Sequence, residues 1–541
     1  MATESDMFEA LLKASGRIRE TDDSPNVVSE LAKSLPHKFQ LEDLLRNVIA
    51  PDHSGDIQFL RALLVCLKSD QLETGLENDQ QVFDKIASHV TKSIAPIAPD
   101  SDSSERYHYL SSVRWQPIAS KGEVGLAILE SLQGTYKAKL DPKVLVATTA
   151  FTNPQDPWTT QAAGTLAQTI LAAALDRPGA KETLITSTIL TTFLRPLFSR
   201  SRPATVTASG RKAEFVEPAR YAGAAPDGPT EAELKPWKYA HAYAVTVFAW
   251  AVEHANQDLL AAHWHLFTPV LLTLLDEART DVKVRAMRIF SAFWARCPPG
   301  LMARVGLANV FEQAIFPAVL FLPTLTPEDE SIRILNVAYP ALFQIAGLPY
   351  PENVIGEPVK QPEFTEAQRK MLDTIIRQGL LVGYHHANEH IRLTELFCNK
   401  ATSIVNGMGI LSVKHLKNLL PMVAEIMTEP FGTKYPPALL AANQLIQTIM
   451  RCCWPRIGCY GTEIIRILTT CYLHIEDEDS FPSGSPSKED LKTALSKTTG
   501  ILAKILENEM VLLSETVSPL VEKEPLLADL FTSAKIHPSA A

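Results

Sequence analysis

Asp281-Val-Lys-Val-Arg-Ala-Met-Arg-Ile-Phe-Ser-Ala-Phe-Trp-Ala-Arg296 is the stretch that decides the fold. Val284, Met287, Phe290, Phe293 and Trp294 fall on one broad face at helical spacing, and Lys283, Arg285, Arg288 and Arg296 lie mainly on the other side. Asp281 stands where an N-cap is expected, since its carboxylate can accept from an orphan backbone N–H. Cys297-Pro298-Pro299-Gly300 ends the run, because proline has no N–H to give the ladder and its ring clashes with the preceding turn.

A second helix of the same kind follows. Thr326 is expected to cap it, Pro327 to take its first position, and Glu328, Asp329 and Glu330 to complement the positive end of its dipole. Leu335, Ala338, Tyr339, Leu342, Phe343 and Ala346 keep the helical period, with a kink expected at Pro340. Such wide apolar faces need a like neighbour on each side. The Asp281, Val284 and Arg285 pattern resembles a HEAT-type repeat. The fold class expected is therefore all-α, an irregular α-solenoid of HEAT-like antiparallel helix pairs. Self-similarity at a fixed period is weak, so the expectation rests on the succession of helices.

Outward from this stretch the chain reads as N-terminal helices over 1–93 and a helical segment over 94–198 with a loop at 94–120. A long flexible loop follows over 199–236, then the main HEAT-like region over 237–475. An acidic linker at 476–487 leads to C-terminal helices and a tail over 488–541. Ser487-Lys-Glu-Asp490 looks like a capping box. Val144–Ala150 reads as helix, because a lone strand would have no partner, and no convincing strand pair is found. The long loop is rich in Ala, Pro, Gly and Arg, and Arg200, Arg202, Arg211 and Lys212 make its start basic. An inserted mobile loop is the leading account of it; a partner-binding or nuclear-import segment is the alternative.

Composition narrows the function. A hydrophobic share of 46% supports a large core, and a net charge of −10 argues against direct nucleic-acid binding. Seven cysteines without regular spacing read as reduced thiols, which suits the cytoplasm and nucleus. The N-terminus lacks the pattern of a secretory signal, and no uninterrupted apolar run has the length of a bilayer span, so no membrane role is expected.

The sharpest enzyme-like pattern is His386-Ala-Asn-Glu389-His390, the H-x-x-E-H order of inverted zinc peptidases. On one helix His386 and His390 would lie a turn apart and share a zinc, with Glu389 as general base and Glu463 or Glu476 as third ligand. The pattern is short, and surface or capping histidines explain it more simply. Of His254, His263 and His265 around Trp264, His263 and His265 would point in different directions on a helix and cannot easily share a metal. Cys452, Cys453, Cys459 and Cys471 contain no C-x-x-C pair and read as core thiols. No Walker-type, dinucleotide or Gly-x-Ser-x-Gly loop is present. No catalytic residue, metal or cofactor is assigned.

Asp156-Pro-Trp-Thr159, Lys235-Pro-Trp-Lys238, Leu322-Pro-Thr-Leu-Thr-Pro-Glu-Asp-Glu-Ser331 running into Ala338-Tyr-Pro-Ala341, and Cys453-Trp-Pro-Arg-Ile457 occur in that order. Together, over roughly residues 150 to 475, they resemble the Tel-two-interacting protein two family. The resemblance implies a helical-repeat subunit of the TTT complex that binds the other two subunits, Tel-two and Tel-two-interacting protein one, in a hetero-oligomer. It further implies a co-chaperone that works with the heat-shock chaperone machinery to mature PIKK-family kinases. The family has no catalytic residues to carry over. Transport or trafficking adaptor, and zinc hydrolase, are the alternatives. The candidate partner-binding or fold-anchoring residues are Trp454, Pro455, Arg456, Trp237, Lys238, Arg200, Arg202, Arg211 and Lys212. Core packing is the leading role for Trp454 and a partner contact the alternative, with Arg456 able to reach a partner carboxylate bidentately. Trp237 is expected to anchor the chain where it leaves the long loop.

Overall fold

The computed structural model describes residues 4–16, 25–48, 56–74, 79–97, 112–205, 207, 210–213, 230–348, 363–482, 484, 486–507 and 510–534. Expectations for the segments 98–111, 214–229, 349–362 and 535–541 lie outside the described residues. Two compact units form, one of residues 1–273 with 296–301 and one of residues 274–295 with 302–541. Both are helical, so the protein is all-α.

The first unit carries α1 (Glu4–Gly16), α2 (Pro25–Lys33), α3 (Leu41–Asn47), α4 (Ile57–Leu67), α5 (Asp79–Ile94), α6 (Ser112–Gly134), α7 (Pro142–Thr149), α8 (Gln161–Ala174) and the short α9 (Ala180–Thr183), α10 (Arg195–Phe198) and α11 (Glu231–Leu234). It continues into α12 (Ala244–His254) and most of α13 (Gln257–Leu275). Helices alternate between two layers. α1 and α2 pack on α4, α4 on α6 and α6 on α8; α3 packs on α5, α5 on α7 and α7 on α12. The Tyr136 hydroxyl donates to Leu67 O at 2.6 Å and the Gln133 amide to Ile170 O at 3.2 Å. These bonds bring the C-terminal ends of α4, α6 and α8 together, so helices within that layer run parallel. α6 begins at Ser112, inside the stretch read as loop to 120, and continues through Pro117.

The second unit carries most of α14 (Thr280–Arg296), α15 (Leu301–Arg304), α16 (Ala308–Ile315), α17 (Glu328–Ile345), α18 (Glu366–Thr374), α19 (Val382–Ala387), α20 (Ile391–Met408), α21 (Leu416–Met427), α22 (Pro436–Cys452), α23 (Trp454–Ile457), α24 (Gly461–Asp477), α25 (Lys488–Ile505), α26 (Met510–Lys523) and α27 (Leu527–Phe531). A π-helical stretch, Ile375–Leu381, joins α18 to α19. α17, α20, α22 and α25 pack in sequence as one layer, and α21, α24 and α27 pack in sequence in the other. Bonds at both ends of α20 and α22 set them parallel. The Tyr435 hydroxyl donates to Glu395 at 2.7 Å near their N-termini, and Ser412 Oγ and Cys453 Sγ lie 3.2 Å apart beyond their C-termini.

Local chemistry explains where helices start. Asp141 accepts from Lys143 N at 2.7 Å with Pro142 in the first helical position of α7. Ser487 and Asp490 form the expected capping box of α25. Two starts differ from expectation. Thr280 opens α14, so Asp281 lies inside the first turn and takes the Arg279 guanidinium at 2.6 Å instead of capping. Pro327, not Thr326, is the N-cap of α17, with no side-chain cap, and the helix continues through Pro340. The stretch Phe39–Gln40 pairs parallel with Leu72–Glu73, a two-residue ladder too short to show in a sequence pattern. α13 reaches the length and apolarity of a membrane span, and just over half of that span is buried inside the structure. Its Phe267 packs on Phe248 of α12, and its backbone leaves helical geometry at His263.

Candidate protein-interaction surface

The two tryptophans singled out from the sequence end in opposite environments. Trp237 is 1% exposed; its ring stacks on Phe198 at 5.0 Å, and its indole N–H donates to Ser201 Oγ at 2.9 Å. It pins the turn between α11 and α12 onto the turn at Ser199–Ser201, which carries Arg200. Lys238 beside it pairs with Glu231 at 3.0 Å, and the Tyr239 hydroxyl donates to the same carboxylate at 2.8 Å. Those two hydrogen bonds hold the Glu231 carboxyl below its ordinary range.

Trp454 is 62% exposed, so the core role expected for it is corrected. The reason lies in the register of α23. Cys453 and Ile457, four residues apart, turn inward and are buried, which leaves Trp454, Pro455 and Arg456 on the outward arc. Arg451, at the last turn of α22, is exposed too. No carboxylate pairs with Arg451 or Arg456 among the described residues. An exposed tryptophan with two unpaired arginines within three residues of it in the chain is a combination enriched in protein interfaces.

The basic residues of the long loop divide into two places. Arg200 and Arg202 flank the Ser201 that receives Trp237. Arg211 and Lys212 sit on a turn that folds back on itself, with Thr207 N donating to Arg211 O at 2.8 Å and Ala213 N to Thr205 O at 2.9 Å. Gly210 seats that turn on α13. Its φ is +75°, a Cβ there would stand 2.0 Å from the His265 carbonyl oxygen, and its own carbonyl accepts from Thr268 at 3.0 Å. Burial, then the nearby His263 and Arg211 charges, push the His265 imidazole below its ordinary value.

The zinc pattern is taken apart by the backbone. α19 ends at Ala387, and His390 is the N-cap of α20, so His386 and His390 do not share a helix face. His390 Nδ1 instead lies 3.4 Å from Glu328, while Glu463 holds Arg466 at 2.6 Å and Glu476 holds Lys492. Among the described residues no three His, Cys, Asp or Glu side chains come together to hold a metal. Cys66, Cys398, Cys453 and Cys471 are buried; Cys459 is exposed and Cys452 intermediate, so the C-terminal group is not uniformly core.

The remaining motifs are structural staples. Asp156 accepts from Thr246 at 2.6 Å, and the Trp158 indole N–H donates to Ala150 O at 2.9 Å while its ring meets Trp115 at 5.1 Å. Glu330 accepts from Thr280 at 2.6 Å, and Asp329 from Arg392 at 2.8 Å.

A model of the Tti2 family matches residues 144–434, more than half of the 541-residue chain. The chain belongs to the Tti2 family. It is similar to TELO2-interacting protein 2 of Rattus norvegicus, 21% identical over 45% of this chain and 44% of that protein. The human protein of the same name is 23% identical over 46% of this chain and 45% of its own length. TEL2-interacting protein 2 of Saccharomyces cerevisiae is 25% identical over 32% of this chain and 40% of that protein. The matched stretch thus spans less than half of each of these relatives. Of solved structures, a crystal structure of Kap121p overlaps 96% of this chain and 48% of its own, at 11% identity and a TM-score of 0.35, too low a score to carry any argument. In this member of the Tti2 family the tryptophan staples at Trp158 and Trp237 lie inside the matched residues, and the exposed Trp454 lies beyond them.

Sequence reasoning missed three exposed apolar side chains, Leu325, Ile391 and Phe431. The available signal was their position: Leu325 and Phe431 stand in polar, proline-containing turns just before a helix, where no helical face accounts for an apolar side chain, and Ile391 is the first residue of α20 after a polar, proline-free turn.

Proposed function

We propose that this chain is a non-enzymatic scaffold subunit of the TTT co-chaperone complex. It binds the other two subunits and, with the heat-shock chaperone machinery, supports the maturation, stability and assembly of PIKK-family kinases in the cytoplasm and nucleus. The observation that carries the proposal is the family match over residues 144–434, together with relatives named for their interaction with TELO2 or TEL2. Stacked helices supply what a scaffold needs, since each added pair extends a surface without requiring a pocket. On this reading Trp454 and Arg456 form a partner contact, the indole supplying area and the guanidinium a bidentate partner for a carboxylate.

Affinity purification of the tagged full chain from its own cells, followed by mass spectrometry at moderate salt, tests the proposal. Near-stoichiometric recovery of two larger helical-repeat partners, with PIKK-family kinases at lower amounts, is the expected result. Recovery of the chain alone, or with transport cargo instead, would sink it.

A further inference from the structure

The geometry points to a docking edge on the second unit for a basic amphipathic helix of a partner protein, seated over Leu325, Ile391 and Phe431. These side chains are 94%, 36% and 76% exposed. Each stands at or just before the N-terminus of one of three adjacent parallel helices, α17, α20 and α22. That these N-termini share one edge follows from direct bonds. Arg392 donates to Asp329 at 2.8 Å between α20 and α17, and Tyr435 to Glu395 at 2.7 Å between α22 and α20. Thr433 donates to Glu478 at 3.1 Å, which brings the chain leaving α24 to the same edge.

The spacing selects the occupant's form. Neighbouring packed helices lie about 8–10 Å apart. Seven residues of α-helix rise about 10 Å. A helix laid along the edge can therefore present an apolar side chain at i, i+7 and i+14 to the three in turn.

Charge selects its sign. Glu389, Glu429, Asp477 and Asp479 are exposed along this edge, and no lysine or arginine pairs with any of them among the described residues. Arg392 and Lys434, the basic residues closest to the apolar row in the chain, are already paired, Arg392 with Asp329 at 2.8 Å and Lys434 with Glu478 at 2.9 Å. A second copy of this chain would bring the same carboxylates against these, and that repulsion disfavours self-pairing. Lysines or arginines between the apolar positions of a partner helix would meet the open carboxylates instead.

This edge differs from the Trp454 surface. α22 has 17 residues, a length of about 25 Å, and Trp454 follows its far end. The inference does not rest on the family reading and can fail without it.

The test is fluorescence anisotropy of the full chain with a labelled synthetic helix of about 18 residues, carrying leucine at i, i+7 and i+14 and lysine at the positions between. A glutamate version of the same helix is the control. The unmodified chain is expected to bind the lysine helix and not the glutamate helix. The double variant L325S with F431S leaves charge untouched and is expected to weaken binding by about tenfold or more, while W454A leaves it unchanged. E429K with D479K is expected to weaken binding and to flatten its salt dependence. Thermal melting of each variant confirms the fold. No binding by the unmodified chain, equal binding by the L325S–F431S variant, or equal binding of the glutamate helix overturns the inference. So does a sedimentation experiment in which the unmodified chain is a dimer that the double variant dissolves, since that assigns the edge to a second copy.

Discussion

Trp237 and Trp454 each sit next to a proline in a Trp-Pro or Pro-Trp pair, yet a single-residue truncation should act on different properties at the two places. At Trp237 the side chain is sealed against Phe198 and bonded to Ser201, so Trp237→Ala opens a cavity and leaves the Ser201 hydroxyl without its donor. The expected cost is about 3–5 kcal/mol of stability. At Trp454 little packing is lost, and the change should stay within about 0.5 kcal/mol while partner binding weakens by about 2 kcal/mol or more. Denaturant melts of both variants beside a pull-down check this, and a destabilised Trp454→Ala with intact binding would reverse the assignment. The sequence could not separate the two cases. A tryptophan beside a proline at a chain break reads alike whether buried or exposed; what decides is which neighbours on the short turn face inward, and at α23 those are Cys453 and Ile457. Thiol chemistry offers a second check at this scale. Burial pushes Cys66, Cys398 and Cys471 up to about 12, so they stay protonated and unreactive at neutral pH. Under native conditions a thiol reagent should label the exposed Cys459 first and these three only on unfolding, as peptide mapping would show.

Between helices, the staples carry the specificity that the apolar faces lack. Leucine-rich faces on α22 and α25 could slide past each other, but Thr498 donates to Asn443 at 2.7 Å and receives Gln447 at 2.9 Å, all three linking those helices inside the stack. Thr498→Val keeps the shape and removes both bonds, leaving the buried Asn443 amide oxygen without that donor and the half-buried Gln447 amide, also on α22, with only its longer bond to Ala494 O. The expected loss is about 1–3 kcal/mol, measurable by denaturant unfolding, and Asn443→Leu added to it should recover part of that loss rather than add to it. The helices themselves were legible, because Val284, Met287, Phe290 and Phe293 keep helical period whatever they pack against. Layering was legible only as a class. The partners of Asp156, Glu330 and Asp329 are 90, 50 and 63 residues away, and no local pattern announces a bond at that range. The H-x-x-E-H pattern failed for the converse reason: it presumes one helix, and the chain breaks between Ala387 and His390. The apolar row at Leu325, Ile391 and Phe431 was hidden because its members are 66 and 40 residues apart and meet only through the parallel stacking of three helices.

Over the whole molecule the titrating groups act together on stability. His89 and His241 in the first unit, and His415 in the second, are all pushed below the ordinary imidazole value of 6.5, burial being the first cause in each. His265 in the first unit shifts the same way. Asp373 accepts from His415 at 2.8 Å and counters that shift without reversing it. A histidine whose folded pKa is depressed binds its proton more readily when unfolded. Its contribution is therefore fully present above pH 6.5 and is lost as pH falls through the folded value. A second set acts lower. Burial alone would raise Asp373 and Glu476, but their hydrogen bonds and ion pairs with lysines hold both below the ordinary carboxyl values, and Lys434 and Ser480 hold Glu478 down to about 2. Their contribution is present above the ordinary carboxyl range, near 4.5 for glutamate and 3.8 for aspartate, and is lost below it. Glu312, raised by burial, works in the opposite sense within the same range. The melting temperature should thus be level near neutral pH, begin to fall as pH drops through 6.5, and fall again below about 4.5. His241→Gln should flatten the first step and leave the second, because it lies outside the bonds of Asp373, Glu476 and Glu478; His415→Gln should flatten the first step and, by removing a hydrogen bond to Asp373, weaken part of the second. Calorimetry between about pH 2 and 8 in a constant-ionic-strength buffer series decides it. A melting temperature that stays level from about pH 7.5 to 5, or a first step that neither histidine replacement reduces, would show that the buried imidazoles do not set the acid limit of this fold.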